Sequence, residues 1–397
     1  MTGTVDLAAE DRSAVDCSAV DLAAVDLAAV DLPAMDVAGR LARLRPLVEG
    51  AGADSLLVTA LANIRYLTGF TGSAALLLVS ADATLLVTDG RYRTQAAEQL
   101  AAAGLDRAVG LVVGGAAAQR DAVVGAAAVA GGTVGLEADD VSWGSQRRWA
   151  EVLAAHELVA TAGVVEALRL VKDEGEVARM ARAAAIADAA LGQVVEMLGR
   201  GRTEVEVGLA LDTAMRRLGS EDRAFETIVA SGPNAAKPHA RPTDRSMAVG
   251  DPVVIDFGAT FDGYRSDMTR TFCVGGVPGP EMAPVFEVVA EAQAAGVAAV
   301  AAGVVSGDID KVCRDRIARS GFAHAFEHGT GHGVGLDIHE APAVAQGSTA
   351  ILTPGVVVTV EPGIYLAGVG GVRIEDTVVV TDHGCRPLTG FTKDIAA

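Results

Sequence analysis

From residue 36 to about 165, short runs of β-branched and aliphatic residues alternate with longer stretches whose apolar positions recur every three or four residues. Runs of the first kind read as strands over 55–59, 74–79, 84–88, 109–113 and 133–136, and those of the second as helices over 37–49, 92–103 and 142–155. The alternation predicts an α/β domain. The glycine-bearing stretch 63–73, NIRYLTGFTGS, is expected to be a loop joining two strands. A second unit begins near Lys172, where Lys172-Asp-Glu-Gly-Glu opens an amphipathic helix expected to run to about Leu198, followed by alternating helices and strands to the C-terminus.

Two passages of that second unit look alike. Residues 201–239 read as a helix, Leu218-Gly219, a strand and a loop ending in His239; residues 307–332 read as a helix, Ser320-Gly321, a Phe-rich strand and a Gly-rich loop ending in His332. The repetition suggests two related halves, each giving one hairpin of paired acids and one His loop to a site between them. The first residues follow another pattern. From Ala14 the chain repeats AVDCS, AVDLA, AVDLA, AVDLP and AMD, a period of five that fits neither helix nor strand. So few units bury almost no apolar surface, so residues 1–34 are expected to be a disordered acidic extension, with Met35 as the start of the folded chain. The expected domains are 35–165 and 172–397.

Composition narrows the function. A chain of 397 residues can hold two cores. Its apolar stretch 122–136 is short and broken by glycines, and 285–305 is interrupted by Glu287 and Glu291, so no membrane span is expected. No basic segment followed by an apolar one opens the chain, and Cys17, Cys273, Cys313 and Cys385 show no CxxC spacing. Both features point to free thiols in the cytoplasm. With 32 Lys plus Arg against 51 Asp plus Glu, the formal charge of −19 argues against nucleic acid or an anionic membrane as a partner.

The candidate chemistry lies in the last third. Residues 252–272 read as a hairpin turning at or beside Asp262-Gly263. A two-residue loop at Phe261-Asp262 would set Asp256 and Asp267 directly opposite, and one at Asp262-Gly263 would set them diagonally on one face. Either way two like charges converge, which is unfavourable without a cation between them. Glu361 and Glu375 are 14 apart, with their midpoint in the turn-forming stretch 366–371, so a second hairpin is expected to bring them together. The runs VVVTV and TVVV beside them imply burial, costly for unpaired carboxylates. His332 lies in His328-Gly-Thr-Gly-His-Gly-Val-Gly-Leu-Asp-Ile-His-Glu, whose glycines exclude the helix of an HExxH zinc motif and do not match GxGxxG. They are expected to let backbone approach a substrate or metal closely. Four carboxylates and one imidazole without a thiolate suit two hard or borderline divalent ions.

With these residues placed, the chain from about Met35 resembles the pita-bread metallopeptidases, and in particular their Xaa-Pro members, aminopeptidase P and prolidase. The resemblance rests on Asp256 in IDFG, Asp267 in SDMTRTF, His332 in HGTGHGVG, Glu361 in EPG and Glu375 in RIED, with His239 in GPNAAKPH and His339 in LDIHE. It implies a creatinase-like α/β N-terminal domain and a C-terminal pita-bread α+β domain around a dinuclear centre. The ligands would be Asp256, Asp267, His332, Glu361 and Glu375, with Asp267 and Glu375 bridging. It further implies His239, His339 and Glu361 as catalytic residues, and His239, His328, His339 and Arg373 as contacts to substrate. The ions would be Mn(II) ahead of Co(II) or Zn(II), the substrate a peptide with proline second, and the assembly a homodimer or higher homo-oligomer. NIRYLTGFTGSAA and TDGRYRTQA resemble shorter bacterial aminopeptidase P-like chains, favouring that activity over the dipeptidase. A metal-free creatinase-like amidinohydrolase, or a silent pita-bread module that binds other proteins, would be expected to have lost several of these five ligands.

Overall fold

A computed structural model of the chain describes residues 32–199 and 201–394. The pentad repeat lies outside the described residues up to position 31.

The N-terminal unit is a mixed sheet of six strands in the order Gly110–Val113, Thr84–Thr88, Ala75–Ser80, Ser55–Val58, Thr133–Glu137 and Glu157–Thr161. Both pairings of Ala75–Ser80 are antiparallel and the other three are parallel. Leu56, Leu77, Val79 and Leu86 enter one apolar cluster, while Leu57, Leu78 and Val87 enter a second on the opposite face. Burial on both faces explains why these strands read as unbroken apolar runs rather than as alternation. The stretch 63–73 is not simply a loop. Residues Leu61–Thr68 form a helix that buries Ile64 and Leu67 and ends on Gly69 in the left-handed conformation. The pattern reading also missed the Ala-rich helix Ala116–Ala130, whose small side chains mark no clear apolar stripe, and the half-exposed edge strand Glu157–Thr161.

The C-terminal unit is built from two halves. Helices Glu174–Val194 and Glu204–Arg217 each start in a capping box, Asp173 with Glu176 and Thr203 with Glu206, which fixes where both helices begin. They pair with each other, and helices Ala283–Ala299 and Ser306–Arg319 do the same in the second half. The first half-sheet runs Met268–Cys273, Pro252–Phe257, Ile228–Ser231; the second runs Glu340–Val344, Gly331–Gly333, Val357–Val360, Asp376–Thr381, Gly384–Pro387. Each thus holds a hairpin flanked by a strand that follows a helix pair. The Phe-rich segment after Ser320-Gly321 is not a strand but a turn of 3₁₀ helix, Ala323–Ala325, that lets Phe326 reach the core.

The half-sheets join along a seam. Glu375 N donates to Thr269 O at 3.1 Å, Thr271 Oγ1 donates to Arg373 O at 2.7 Å, and Thr377 Oγ1 donates to Asp267 O at 2.7 Å. The residues that carry the candidate acids therefore lie beside one another across the junction.

Candidate metal centre

The first hairpin turns at Asp262-Gly263. Tyr264 pairs with Phe261, and both turn residues have positive φ, 45° and 73°, as a tight two-residue turn of the primed type requires. In this register Asp256 faces Thr269, so Asp256 and Asp267 lie diagonally on one face. In the second hairpin Val360 pairs with Asp376 and Gly363 with Arg373, in one continuous register. Glu361 and Glu375, in the break between those ladders, lie opposite each other.

The seam brings the two pairs together. Carboxylate oxygens of Asp256, Asp267 and Glu375 all lie within 4.8 Å of one another. His332 Nε2 stands 3.6 Å from Asp267 Oδ2 and 3.4 Å from Glu361 Oε1, closing the set of five. His332 Nδ1 lies 2.9 Å from Gly333 O, a contact that places the ring proton on Nδ1 and turns the Nε2 lone pair toward the acids. The glycines around His332 serve this placement differently from the expectation. A Cβ at Gly331 would lie 2.0 Å from Thr359 O and one at Gly333 2.1 Å from Ala341 O, so they admit the neighbouring strands rather than a ligand.

Burial and mutual repulsion dominate the electrostatics. Burial first, then Glu375, Asp256 and Glu361, hold the Asp267 carboxyl well above its usual range. Burial, Glu361 and Asp256 do the same to Glu375, and burial pushes Glu361 up to about 8 against the pull of Arg373. Burial lowers His332 and His328 to about 4, so both are neutral imidazoles at pH 7. Asp256 Oδ1 and Glu375 Oε1 are buried without a hydrogen-bond partner. Bare buried oxygens of this kind are costly in a finished protein interior, and together with a deprotonated Nε2 they fit divalent cations.

All five acids and imidazoles except Glu375 line one cleft of about 750 Å³, together with His239, His328, His339 and Arg373. His239 and His339 are exposed on its walls, and the His339 ring lies 4.5 Å from that of His332. His328 Nε2 lies 2.9 Å from Tyr365 Oη. Arg373 is buried and fully engaged: it donates to Asp256 Oδ2 at 2.6 Å, Tyr365 Oη at 2.8 Å, Thr269 Oγ1 at 3.1 Å and Pro238 O at 3.2 Å. It thus holds a candidate ligand and the loop that carries His239. Sequence reasoning missed Thr269, whose hydroxyl donates to Glu375 Oε2 at 2.7 Å, and Tyr365. Thr269 could have been found from its place two residues beyond Asp267 on the same strand face; Tyr365 carried no such signal.

Comparison with known proteins agrees with this geometry. Residues 178–382 match metallopeptidase family M24, and residues 40–171 match the creatinase/prolidase N-terminal domain. The peptidase YqhT of Bacillus subtilis is 39% identical over 357 residues, covering 90% of this chain and 99% of its own. An Xaa-Pro dipeptidase from Bacillus anthracis superimposes with a TM-score of 0.86 at 37% identity, over 91% of this chain and 100% of that one. An X-Pro aminopeptidase from Thermotoga maritima does so with a TM-score of 0.81 at 36% identity, over 90% and 100%. The chain belongs to metallopeptidase family M24.

Proposed function

We propose that this family M24 metallopeptidase is an Xaa-Pro aminopeptidase, hydrolysing the bond between an N-terminal residue and the proline that follows it. The observation that carries the reading is the convergence of Asp256, Asp267, His332, Glu361 and Glu375, two of them with bare buried oxygens, at a cleft large enough for a peptide. Asp267 and Glu375 would bridge two divalent ions, with Asp256 on one and His332 and Glu361 on the other. Mn(II) is assigned first, with Co(II) or Zn(II) as substitutes. When bound, such a pair supplies a water of lowered pKa and a Lewis acid for the peptide carbonyl.

The chain's own residues do the rest. His239 and His339 donate to the carbonyl oxygen as it gains negative charge. Glu361 takes the proton lost by the attacking water and delivers it to the prolyl nitrogen as that bond breaks. His328, bonded to Tyr365, forms the wall against which the substrate lies, and Arg373 keeps Asp256 and the His239 loop in place.

The cations of the cleft support one substrate length over the other. Arg223 faces Asp212 at 3.3 Å, Arg241 faces Glu226 at 2.7 Å, and Arg373 faces Asp256. Among the described residues, every arginine lining the cleft thus has a carboxylate partner, which supports longer peptides over substrates read by a terminal carboxylate. The similarity to an Xaa-Pro dipeptidase keeps the dipeptidase as the second reading. Initial rates on Xaa-Pro dipeptides, Xaa-Pro-Yaa tripeptides and non-prolyl controls separate the two. Tripeptides should be cleaved at least as fast as dipeptides; turnover confined to dipeptides would favour the second reading, and no preference for proline would overturn both. We further assign the enzyme to the cytoplasm, as a homodimer or higher homo-oligomer; no helix among the described residues is long and apolar enough to cross a membrane.

A further inference from the structure

Among the described residues the His339 ring has no hydrogen-bond partner, only the edge-on contact with the His332 ring, so its aim depends chiefly on the backbone of residues 334–340. That segment is held from beneath by the side chain next to it. The Glu340 carboxylate is buried and accepts from Asp337 N at 3.0 Å and from Lys172 Nζ at 3.0 Å, and its other partner is Arg169 Nη2. It sits so closely under the segment that a Cβ at Gly335 would lie 2.6 Å from both of its oxygens. Against the cost of burial, Lys172 and Arg169 hold this carboxyl below its usual range, so it stays charged.

The network continues out of the catalytic unit. Arg169 Nη1 donates to Asn63 Oδ1 at 2.7 Å and Arg169 Nη2 to Asp337 Oδ2 at 2.7 Å. Asn63 Nδ2 donates to Glu137 Oε1 at 2.7 Å, and Glu137 Oε2 accepts from the backbone N–H groups of Thr59 at 2.6 Å and Ala60 at 2.8 Å. Asn63 and Glu137 belong to the N-terminal sheet unit. Packing follows the same route: Val334 and Leu336 are buried in the apolar cluster that contains Leu56, Ile64 and Leu67 of that unit.

We propose that Glu340 and Arg169 are positioning residues for His339, and that through Asn63 and Glu137 the N-terminal unit sets the aim of a residue that meets the reacting carbonyl. The inference rests on the role given to His339 above. Buried, charge-assisted pairs fix geometry more tightly than exposed ones, and a displacement of about 1 Å at a reacting group can cost on the order of 100-fold in rate.

The test is a double-mutant cycle of Glu340→Ala and His339→Ala, reading kcat, KM, bound metal and melting temperature on an Xaa-Pro-Yaa tripeptide. Glu340→Ala should lower kcat by about 10- to 100-fold with KM and metal content kept, and Glu340→Gln, which keeps an acceptor for Asp337 N and Arg169, should restore part of that loss. In the His339→Ala background the Glu340→Ala effect should shrink to less than about 3-fold. Asn63→Ala, whose site is in the other unit, should lower kcat in the same direction and carries the test should Glu340→Ala fail to fold. An undiminished effect of Glu340→Ala without His339, loss of metal with it, or an unchanged kcat in Asn63→Ala would overturn the proposal. Should His339→Ala itself leave kcat unchanged, the role of His339 falls and the proposal with it; a slow His339→Ala beside a fast Glu340→Ala removes the network alone.

Discussion

At Asp267, Glu361 and Glu375 the protein interior favours the protonated acid, and that preference makes metal binding and pH inseparable. Each carboxyl has a folded pKa above its unfolded value, Glu361 at about 8, so in the metal-free protein each contributes stability that is complete below the unfolded value and lost as pH rises through the folded one. Cations must displace those protons, so affinity should rise with pH up to about 8. The rise in melting temperature on adding Mn(II) to chelated protein is therefore expected to be larger at pH 8 than at pH 6; an equal rise at both would mean that the acids are already ionised. Substitution divides the roles further. Asp267→Asn or Glu375→Gln should lose metal and turnover together, because in the proposed arrangement each would hold both ions. His339→Ala should keep its metal and lose about 10²–10³ in kcat, as when one donor to a developing oxyanion is removed. Measured metal per chain decides between them, and a metal-free His339→Ala would refute its placement outside the ligand set.

Among the elements, the seam between the half-sheets matters most, and Arg270 is its buried clamp. It is 2% exposed and donates to Asp376 Oδ1 at 2.9 Å, Phe391 O at 2.8 Å and Glu375 O at 2.5 Å, so it ties the first hairpin to the second and to the C-terminal segment. Arg270→Met removes one of the two cations facing the buried Asp376, leaves it Lys393, Gln293 and Thr389, and takes the donor from Phe391 O and Glu375 O, so it should cost about 1–3 kcal/mol in denaturant unfolding. A loss below about 1 kcal/mol would show that Lys393 compensates. Both hairpins were legible in the sequence because their signals are local: Asp262-Gly263 marks a turn, and VVVTV and TVVV mark buried strands around acids at matching distances. The diagonal register of Asp256 and Asp267 was one of two that spacing allowed, and only the positive φ of Asp262 and Gly263 selects it. Helix Leu61–Thr68 escaped because it is short and is followed at once by Gly69 and Gly72, so the stretch reads as a loop until Ile64 and Leu67 join the apolar cluster of Leu41 and Leu44 from the helix Val37–Gly50. Tyr365, Arg169 and Glu340 were invisible for another reason: the contacts that give Arg169 and Glu340 their meaning reach 106 and 171 residues along the chain, and no local pattern records them.

For the whole molecule, the two units share more than a linker. One apolar cluster runs from Leu41 and Leu44 through Ile64 and Leu67 to Val334, Leu336 and Val379, and Arg40 of the first helix is buried against Asp173 and Glu176 of the catalytic unit at 3.1 and 3.2 Å. The segment that carries His339 thus stands on a base drawn from both units, the stretches that match metallopeptidase family M24 and the creatinase/prolidase N-terminal domain. What makes the whole an enzyme, on this account, is a pair of ions held by Asp256, Asp267, His332, Glu361 and Glu375. The most direct test is an activity titration: protein stripped by chelation, assayed on an Xaa-Pro-Yaa tripeptide while Mn(II) is added in known amounts and bound metal is measured. The expected result is no turnover without metal, recovery on addition, and a plateau at two ions per chain. Full turnover in protein shown to be metal-free, or a plateau at a single ion with no second ion bound, would contradict the account.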